Sequence, residues 1–148
     1  MTARILKVCT STIKGIQKTQ VESALVVLGF GVEGDAHGGD WHRQVSLLAN
    51  ESAEQMRNMG AKVGPGDFGE NILTEGIELH TLSVGTRLDI GDVELEVTQI
   101  GKECHTRCAI FDAAGTCIMP THGIFCRVLK GGTIRAGLPI KTTSGDSN

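Results

Sequence analysis

Five consecutive residues, Cys104-His105-Thr106-Arg107-Cys108, set two thiols on either side of a histidine and an arginine. A cysteine sulfur acts as nucleophile, sulfur carrier or soft-metal ligand only as the thiolate, and neighbouring cations favour that form. Lys102, His105 and Arg107 supply those cations. The stretch follows a strand pattern ending near Ile100, and loops leaving strand ends are where binding residues concentrate. Cys104 and Cys108 are therefore the candidate catalytic and metal-ligating sulfurs. Cys9 lies in a strand pattern and Cys126 in the apolar run Gly123-Ile124-Phe125-Cys126, so both read as small buried hydrophobes. Cys117, in a polar stretch after Gly115, stays ambiguous.

Other constellations are weaker. Cys104, Cys108, Cys117 and His122 form a conceivable zinc set with His105 spare, but the Cys-x3-Cys-x8-Cys-x4-His spacing matches no common finger. There is no Gly-x-Ser-x-Gly elbow and no Gly-x4-Gly-Lys-Ser/Thr loop, which argues against a serine hydrolase and an NTPase. Gly29-Phe30-Gly31-Val32-Glu33-Gly34 spells Gly-x-Gly-x-x-Gly without a βαβ unit around it, and reads as a chance match. His37 and His42 flank a Gly-rich turn and are either pocket-lining or surface residues. Arg43 leads a strand and is a candidate anion clamp, because a guanidinium grips phosphate oxygens bidentately. His80 reads as an isolated surface histidine.

These residues need a scaffold, and the chain predicts a mainly β one. Val93-Glu94-Leu95-Glu96-Val97 alternates as a half-buried strand does. Gly91-Asp92 joins it to Arg87–Ile90, and glycine first in a two-residue loop suits a type II′ turn. Further strands are expected over Ile5–Thr10, Ser23–Leu28, Gln44–Leu48, Glu70–Thr74 and Pro139–Thr142. Twenty glycines and repeated Gly-Asp steps break the chain into short strands, which points to a sandwich or to a closed or partly open β-barrel. One or two short helices should cover it. Asn50 caps the first, Glu51 sits in its first turn and Gly60 ends it, with Ala53, Met56 and the Arg57 stem on one face. A second is expected at Ala109–Ala114, and a frayed polar tail from Thr142 to Asn148.

Composition bounds the function. The 148 residues suit a single domain, with its core at about 8–140. No apolar run approaches the ~20 residues needed to span a bilayer, and no signal-peptide pattern is present. An odd cysteine count then suggests a reducing, cytoplasmic setting. Aromatic content of 3% and a net charge of -3 argue against nucleic acid as a partner. From Gly101 to Lys141, six cations (Lys102, Arg107, Arg127, Lys130, Arg135, Lys141) face two anions (Glu103, Asp112), a net +4. That segment is either a solvated basic face or a positive cleft for a small anion.

Taken together, Gly34-Asp35-Ala36-His37, Arg43-Gln44-Val45-Ser46-Leu47-Leu48, Gly66-Asp67-Phe68-Gly69-Glu70-Asn71-Ile72, Val84-Gly85 to Ile90-Gly91, and Cys104 resemble a MOSC domain of the small standalone bacterial type, over about Val8 to Ile140. The family is named for the C-terminal part of the molybdenum cofactor sulfurase. The resemblance implies a β-barrel, binding of the molybdopterin-based molybdenum cofactor, and sulfur chemistry at a cysteine after the long hairpin. In larger relatives, including the amidoxime-reducing proteins, an Arg-Cys pair supplies the molybdenum-ligating thiolate; Arg107-Cys108 matches that pair. Cys104 matches the first cysteine of the loop. His105 and Thr106 make the spacing to Arg107 one residue different from those relatives, which leaves both sulfurs in play. His37, Arg43, Asn71, Arg107 and Arg127 are the candidate cofactor-binding residues.

The longer relatives add an N-terminal barrel, and the sulfurase a pyridoxal-phosphate desulfurase domain. Nothing in these residues matches either, so no pyridoxal phosphate is expected here. The expected role is cofactor sulfuration, carriage or maturation, with a cysteine desulfurase or a molybdoenzyme as partner. Alternatives are a persulfide carrier, a reductase component for N-hydroxylated compounds, and a zinc-stabilised β module without chemistry. Whether it turns over, as a sulfurtransferase or a molybdenum-dependent oxidoreductase, stays open.

Overall fold

A computed structural model describes residues 3–13, 17–58, 60, 64–101 and 122–143. Eleven strands are described: β1 (Arg4–Thr10), β2 (Thr19–Val21), β3 (Ser23–Val27), β4 (Gly31–Val32), β5 (Val45–Ala49), β6 (Ile72–Glu75), β7 (Arg87–Ile90), β8 (Val93–Ile100), β9 (Ile124–Lys130), β10 (Gly132–Arg135) and β11 (Ile140–Thr143). One helix, α1 (Asn50–Asn58), follows β5 directly, and a 3-10 turn spans Leu79–Thr81. The expected strands are present with ends shifted by one or two residues. Glu70 and Asn71 precede β6 rather than belonging to it, and Thr142 and Thr143 pair within β11 instead of starting a frayed tail. The helix expected at Ala109–Ala114 lies outside the described residues.

Eight strands form one sheet in the order β11-β7-β8-β9-β5-β6-β1-β2, and β10-β3-β4 form a second. Among the described residues strand pairing does not close the large sheet, so of the closed or partly open barrel expected, the closed form is corrected. β11 and β2 are its edges. The start of β1 nevertheless reaches the chain ahead of β11, through an Arg4–Pro139 bridge and bonds from Ile5 N to Leu138 O (2.9 Å) and Ile140 N to Ala3 O (2.8 Å). With strands ~4.8 Å apart, those segments could not touch across a flat sheet. The sheet therefore curls back on itself and is joined at one point rather than along a ladder.

The pattern of burial follows strand position. β5 lies between β9 and β6, and all five of its residues are buried. β8 alternates, burying Val93, Leu95 and Val97. These side chains pack with Ile5, Val8, Ile72, Leu88, Ile124 and Val128. Gly91 has φ +60° at the β7–β8 turn while Asp92 keeps a negative φ, as a type II′ turn requires. α1 buries Ser52 and Ala53. Asn50 Oδ1 accepts from Arg57 Nη2 at 2.7 Å, tying the first turn of the helix to its last.

Two buried charges hold the loops. Lys18 Nζ donates to Asp35 Oδ1 (2.8 Å) and Oδ2 (3.1 Å), and both residues are buried. Burial alone would raise the Asp35 carboxyl; the His37 and Lys18 side chains and the Ser11 N–H outweigh it and hold the group well below the usual carboxylate range. Glu70 folds back on its own loop, accepting from Gly66 N (2.7 Å) and Phe68 N (3.2 Å). Gly66 must be glycine: its φ is +85°, and a Cβ would meet Lys18 O at 2.1 Å. Burial pushes the Glu70 carboxyl up to about 7 against those backbone donors.

Removing one partner of the buried pair strands the other. Asp35→Ala is expected to cost about 3–5 kcal/mol in urea unfolding at pH 7, and a loss below ~1 kcal/mol would show that Lys18 finds water instead. The two carboxyls give opposite pH slopes. Asp35 stabilises fully above its unfolded value of 3.8, and that contribution is lost as pH falls towards its depressed folded value. Glu70 is raised in the folded state, so its ionisation destabilises progressively from 4.5 to about 7, by up to ~3 kcal/mol. Unfolding midpoints measured across that window should fall with pH for the native chain and run flatter for Glu70→Gln.

Candidate functional site

Ile100 pairs with Ile124, and Gly101 N donates to Gly123 O at 2.7 Å, so the β8–β9 ladder ends in a closed neck. Cys104, His105, Arg107, Cys108 and Cys117 lie outside the described residues. The other two cysteines are described and are fully buried. Burial first, then Glu70, raises the Cys9 thiol to about 12, and burial followed by Glu96 raises Cys126 as well. Neither is a thiolate near neutral pH, as expected of core cysteines, and thiolate chemistry falls to the remaining three.

Around the neck, β5 and β8 build a polar node. Gln99 Oε1 accepts from Arg43 Nε (2.9 Å) and lies 2.9 Å from His42 Nε2, while Gln99 Nε2 donates to Gly101 O (2.8 Å). An amide oxygen only accepts, so His42 must carry its proton on Nε2. The Arg43 guanidinium lies 5.2 Å from the Phe125 ring centre and 5.9 Å from that of Trp41, within cation–π range. Trp41 is held in turn by its indole N–H, which donates to His37 O at 2.8 Å. Beside this node, Trp41, His42, Gln44, Glu96, Thr98 and Arg127 line a cleft of about 540 Å³.

The described arginines differ in their partners. Arg4 pairs with Glu75, Arg87 with Glu94 at 3.5 Å and Arg127 with Glu96 at 2.6 Å. Among the described residues, no carboxylate pairs with Arg43. Its contacts among the described residues are an amide oxygen and two aromatic rings, none of which compensates its positive charge.

The predicted site residues are therefore only partly brought together. His37 and Arg43 both flank Phe125, with the His37 ring centre 6.4 Å from it. The His37 main-chain N donates to Asp35 Oδ2 (3.0 Å), and its Nδ1 lies 3.6 Å from the same oxygen, an ion pair when the ring is protonated. Arg127 reaches the cleft rim with its charge already met by Glu96. Asn71 has no exposed surface: its Oδ1 accepts from Ser46 N (3.0 Å) and Ser46 Oγ (3.2 Å), and its Nδ2 donates to Cys9 O (3.1 Å). That amide fastens β1 to β5. In the described part of the basic segment, Arg127 lies opposite Glu96, Lys130 opposite Glu94 and Lys141 opposite Asp89, while the exposed Arg135 lies opposite Ser23.

Gln99, Phe125, Asp35 and Lys18 do not stand out in the sequence. The signal for Gln99 is the break in alternation at Thr98-Gln99, where the β8–β9 register shifts. Gly29–Gly34 spans the β3–β4 turn, so its glycine pattern has no nucleotide-binding unit around it. His80 departs from the expected isolated surface residue: its ring stacks on His122, with centres 4.0 Å apart. Among the described residues, no group of three or more His, Cys, Asp or Glu is placed to hold a metal, and no helix is long and apolar enough to cross a membrane.

Known proteins share this fold. The YuaD protein of Bacillus subtilis superposes with a TM-score of 0.80 at 20% identity, covering 97% of each chain. YiiM from Escherichia coli superposes at 0.70 and 22% identity, over 100% of this chain and 72% of that one. YiiM from Geobacillus stearothermophilus gives 0.71 and 20%, over 96% and 75%. No curated protein matches by sequence. Residues 33–141, a range that holds both Arg43 and the two candidate sulfurs, match the family model described as the MOSC domain; the chain belongs to the MOSC domain family.

Proposed function

We propose that this protein binds the molybdopterin-based molybdenum cofactor at the β8–β9 neck and acts in its sulfuration, carriage or maturation. Arg43 carries the reading. A phosphate needs an uncompensated, oriented cation, and Arg43 is fixed at Nε by Gln99 with no carboxylate to neutralise it. Its two terminal nitrogens suit bidentate binding of phosphate oxygens. The chemistry of the donor set therefore fits a phosphate-bearing group, and the 540 Å³ cleft, which Trp41, His42 and Gln44 line next to Arg43 in the chain, falls in the size range of small-molecule sites.

In this reading Arg43 is the phosphate clamp, and His37, with Asp35 behind it, adds a second positive group when protonated. Cys104 or Cys108 supplies the thiolate. Lys102 and Arg107, near both in sequence, are the cations that would favour the thiolate. When bound, the cofactor supplies a soft metal centre able to take part in sulfur or oxygen-atom transfer. Trp41 and Phe125 bracket the Arg43 guanidinium and hold it in one orientation. The same thiolate would attack the outer sulfur of a desulfurase persulfide, breaking its S–S bond, taking that sulfur and releasing the desulfurase cysteine as a thiolate.

The test is co-expression with cofactor biosynthesis under anaerobic conditions. Bound pterin is read as its fluorescent oxidised form, molybdenum by mass spectrometry, and the environment of Trp41 (the only tryptophan) by emission. Arg43→Gln is expected to lower pterin retention ~10–100-fold, the scale of a lost charge-assisted contact. Arg127→Gln should change it less than threefold, because its charge already serves Glu96. Equal losses in both variants, or an unchanged Trp41 emission on loading, would place the cofactor elsewhere. Of Cys104→Ser and Cys108→Ser, one should lose molybdenum while retaining pterin. If both retain metal and both block a one-sulfur adduct after desulfurase treatment, the chain carries persulfide rather than ligating molybdenum.

A further inference from the structure

His37 is held at both ends of its main chain: its N–H donates to Asp35 Oδ2 at 3.0 Å, and its carbonyl accepts the Trp41 indole N–H at 2.8 Å. The two ring nitrogens sit in different surroundings. Nδ1 is buried, makes no hydrogen bond and lies 3.6 Å from Asp35 Oδ2. Asp35 is itself buried and meets the Lys18 ammonium through both oxygens, so the group facing Nδ1 is a fixed carboxylate. A bare Nδ1 would set its lone pair against that carboxylate inside the protein. A proton on Nδ1 turns the repulsion into attraction, which fixes the tautomer and leaves the lone pair on Nε2. The His37 side chain is 15% exposed, and with Nδ1 buried the opening falls on the ring edge that carries Nε2. His42 carries its proton on Nε2 and gives it to Gln99. The two histidines that flank this Gly-rich turn therefore hold opposite tautomers.

We propose that His37 is a specificity residue of the Arg43 node: its Nε2 shares one proton with the anion that Arg43 holds, so the node selects a terminal phosphate monoester over a phosphodiester. The inference rests on the anion site proposed at Arg43 and adds the form of phosphate it takes. His37 and Arg43 flank the same Phe125 ring, and both touch Trp41. A phosphate monoester loses its second proton at about pH 6, and a free imidazole titrates at about 6.5. With the two so closely matched, one proton serves either partner. An imidazolium donates to the dianion, or a P–OH donates to neutral Nε2; both arrangements hold the same atoms and the same net charge, and both are attractive.

A phosphodiester has no second ionisable oxygen. Against neutral Nε2 it brings lone pair to lone pair, and an imidazolium to suit it must first take a proton from solvent. The other ionisable groups around the turn do not supply that proton. Lys18 is engaged by Asp35, His42 by Gln99, Asp40 is exposed, and Arg43 does not titrate near neutral pH.

The experiment is long-range proton–nitrogen NMR of the histidine rings in the full chain near neutral pH. The chain is measured free, then titrated with phenyl phosphate or with its diester, methyl phenyl phosphate. Free, His37 should show the Nδ1–H form and His42 the Nε2–H form. Phenyl phosphate should shift His37 Nε2 and bind at least about tenfold tighter than the diester, the scale of one charge-assisted hydrogen bond. His37→Gln should lose most of that preference while still binding both esters through Arg43. An Nε2–H form of His37, equal binding of the two esters, or a preference that survives His37→Gln would each overturn the proposal and leave Arg43 standing as an anion site. Failure of both esters to bind would overturn the Arg43 site and this inference with it. Tautomer and ester preference are read on the native chain, so a poorly folded His37→Gln leaves both measurements decisive.

Discussion

The buried pair of Lys18 and Asp35 is the constraint on which the site depends. The Asp35 carboxylate takes both oxygens to the Lys18 ammonium and also accepts from Ser11 N and His37 N. One acidic side chain thereby joins the segment after β1 to the segment after β4. From His37 the restraint passes outward: its carbonyl holds the Trp41 indole, and Trp41 stacks beside Arg43. Lys18 also donates its main-chain N–H to Gly66 O, which positions the Glu70 loop. A residue 25 positions before Arg43 thus helps to aim it.

Arginine function in this protein is decided by neighbours. Arg4, Arg87 and Arg127, on three strands, each face a glutamate. Surface pairs of that kind contribute little stability, but they remove the cation from the set able to hold an anion. Arg43 is kept apart by geometry: it precedes β5, where the facing residues are Gln99 and two aromatic rings. The Trp41 cleft itself is edged by Arg127, whose charge meets Glu96.

The Gly66–Asn71 block, the most specific part of the family resemblance, is built for folding. Glu70 satisfies the N–H groups of its own loop, Asp67 Oδ2 accepts from Gly64 N (2.7 Å), and Asn71 spans two strands. Polar residues in a motif suggest ligand contact when only their types are visible. Here each is turned inward, because short loops between buried strands leave N–H and C=O groups that must be paired. Closure of the sheet illustrates the same limit. Strand positions follow from alternation and glycine turns, whereas whether edges meet depends on accumulated twist and curl across eight strands.

Local pattern alone determined the strands, the type II′ turn at Gly91-Asp92, the cysteines assigned to the core and the membership in a family, since each depends on neighbours in the chain or on period-2 burial. Tertiary structure decided that Arg43 keeps its charge while Arg127 gives it to Glu96, that Asn71 is a fastening rather than a ligand contact, and that His80 meets His122. Those outcomes are set by residues as far as 82 positions away. Electrostatic compensation and hydrogen-bond satisfaction are properties of neighbours in space, which no local pattern carries.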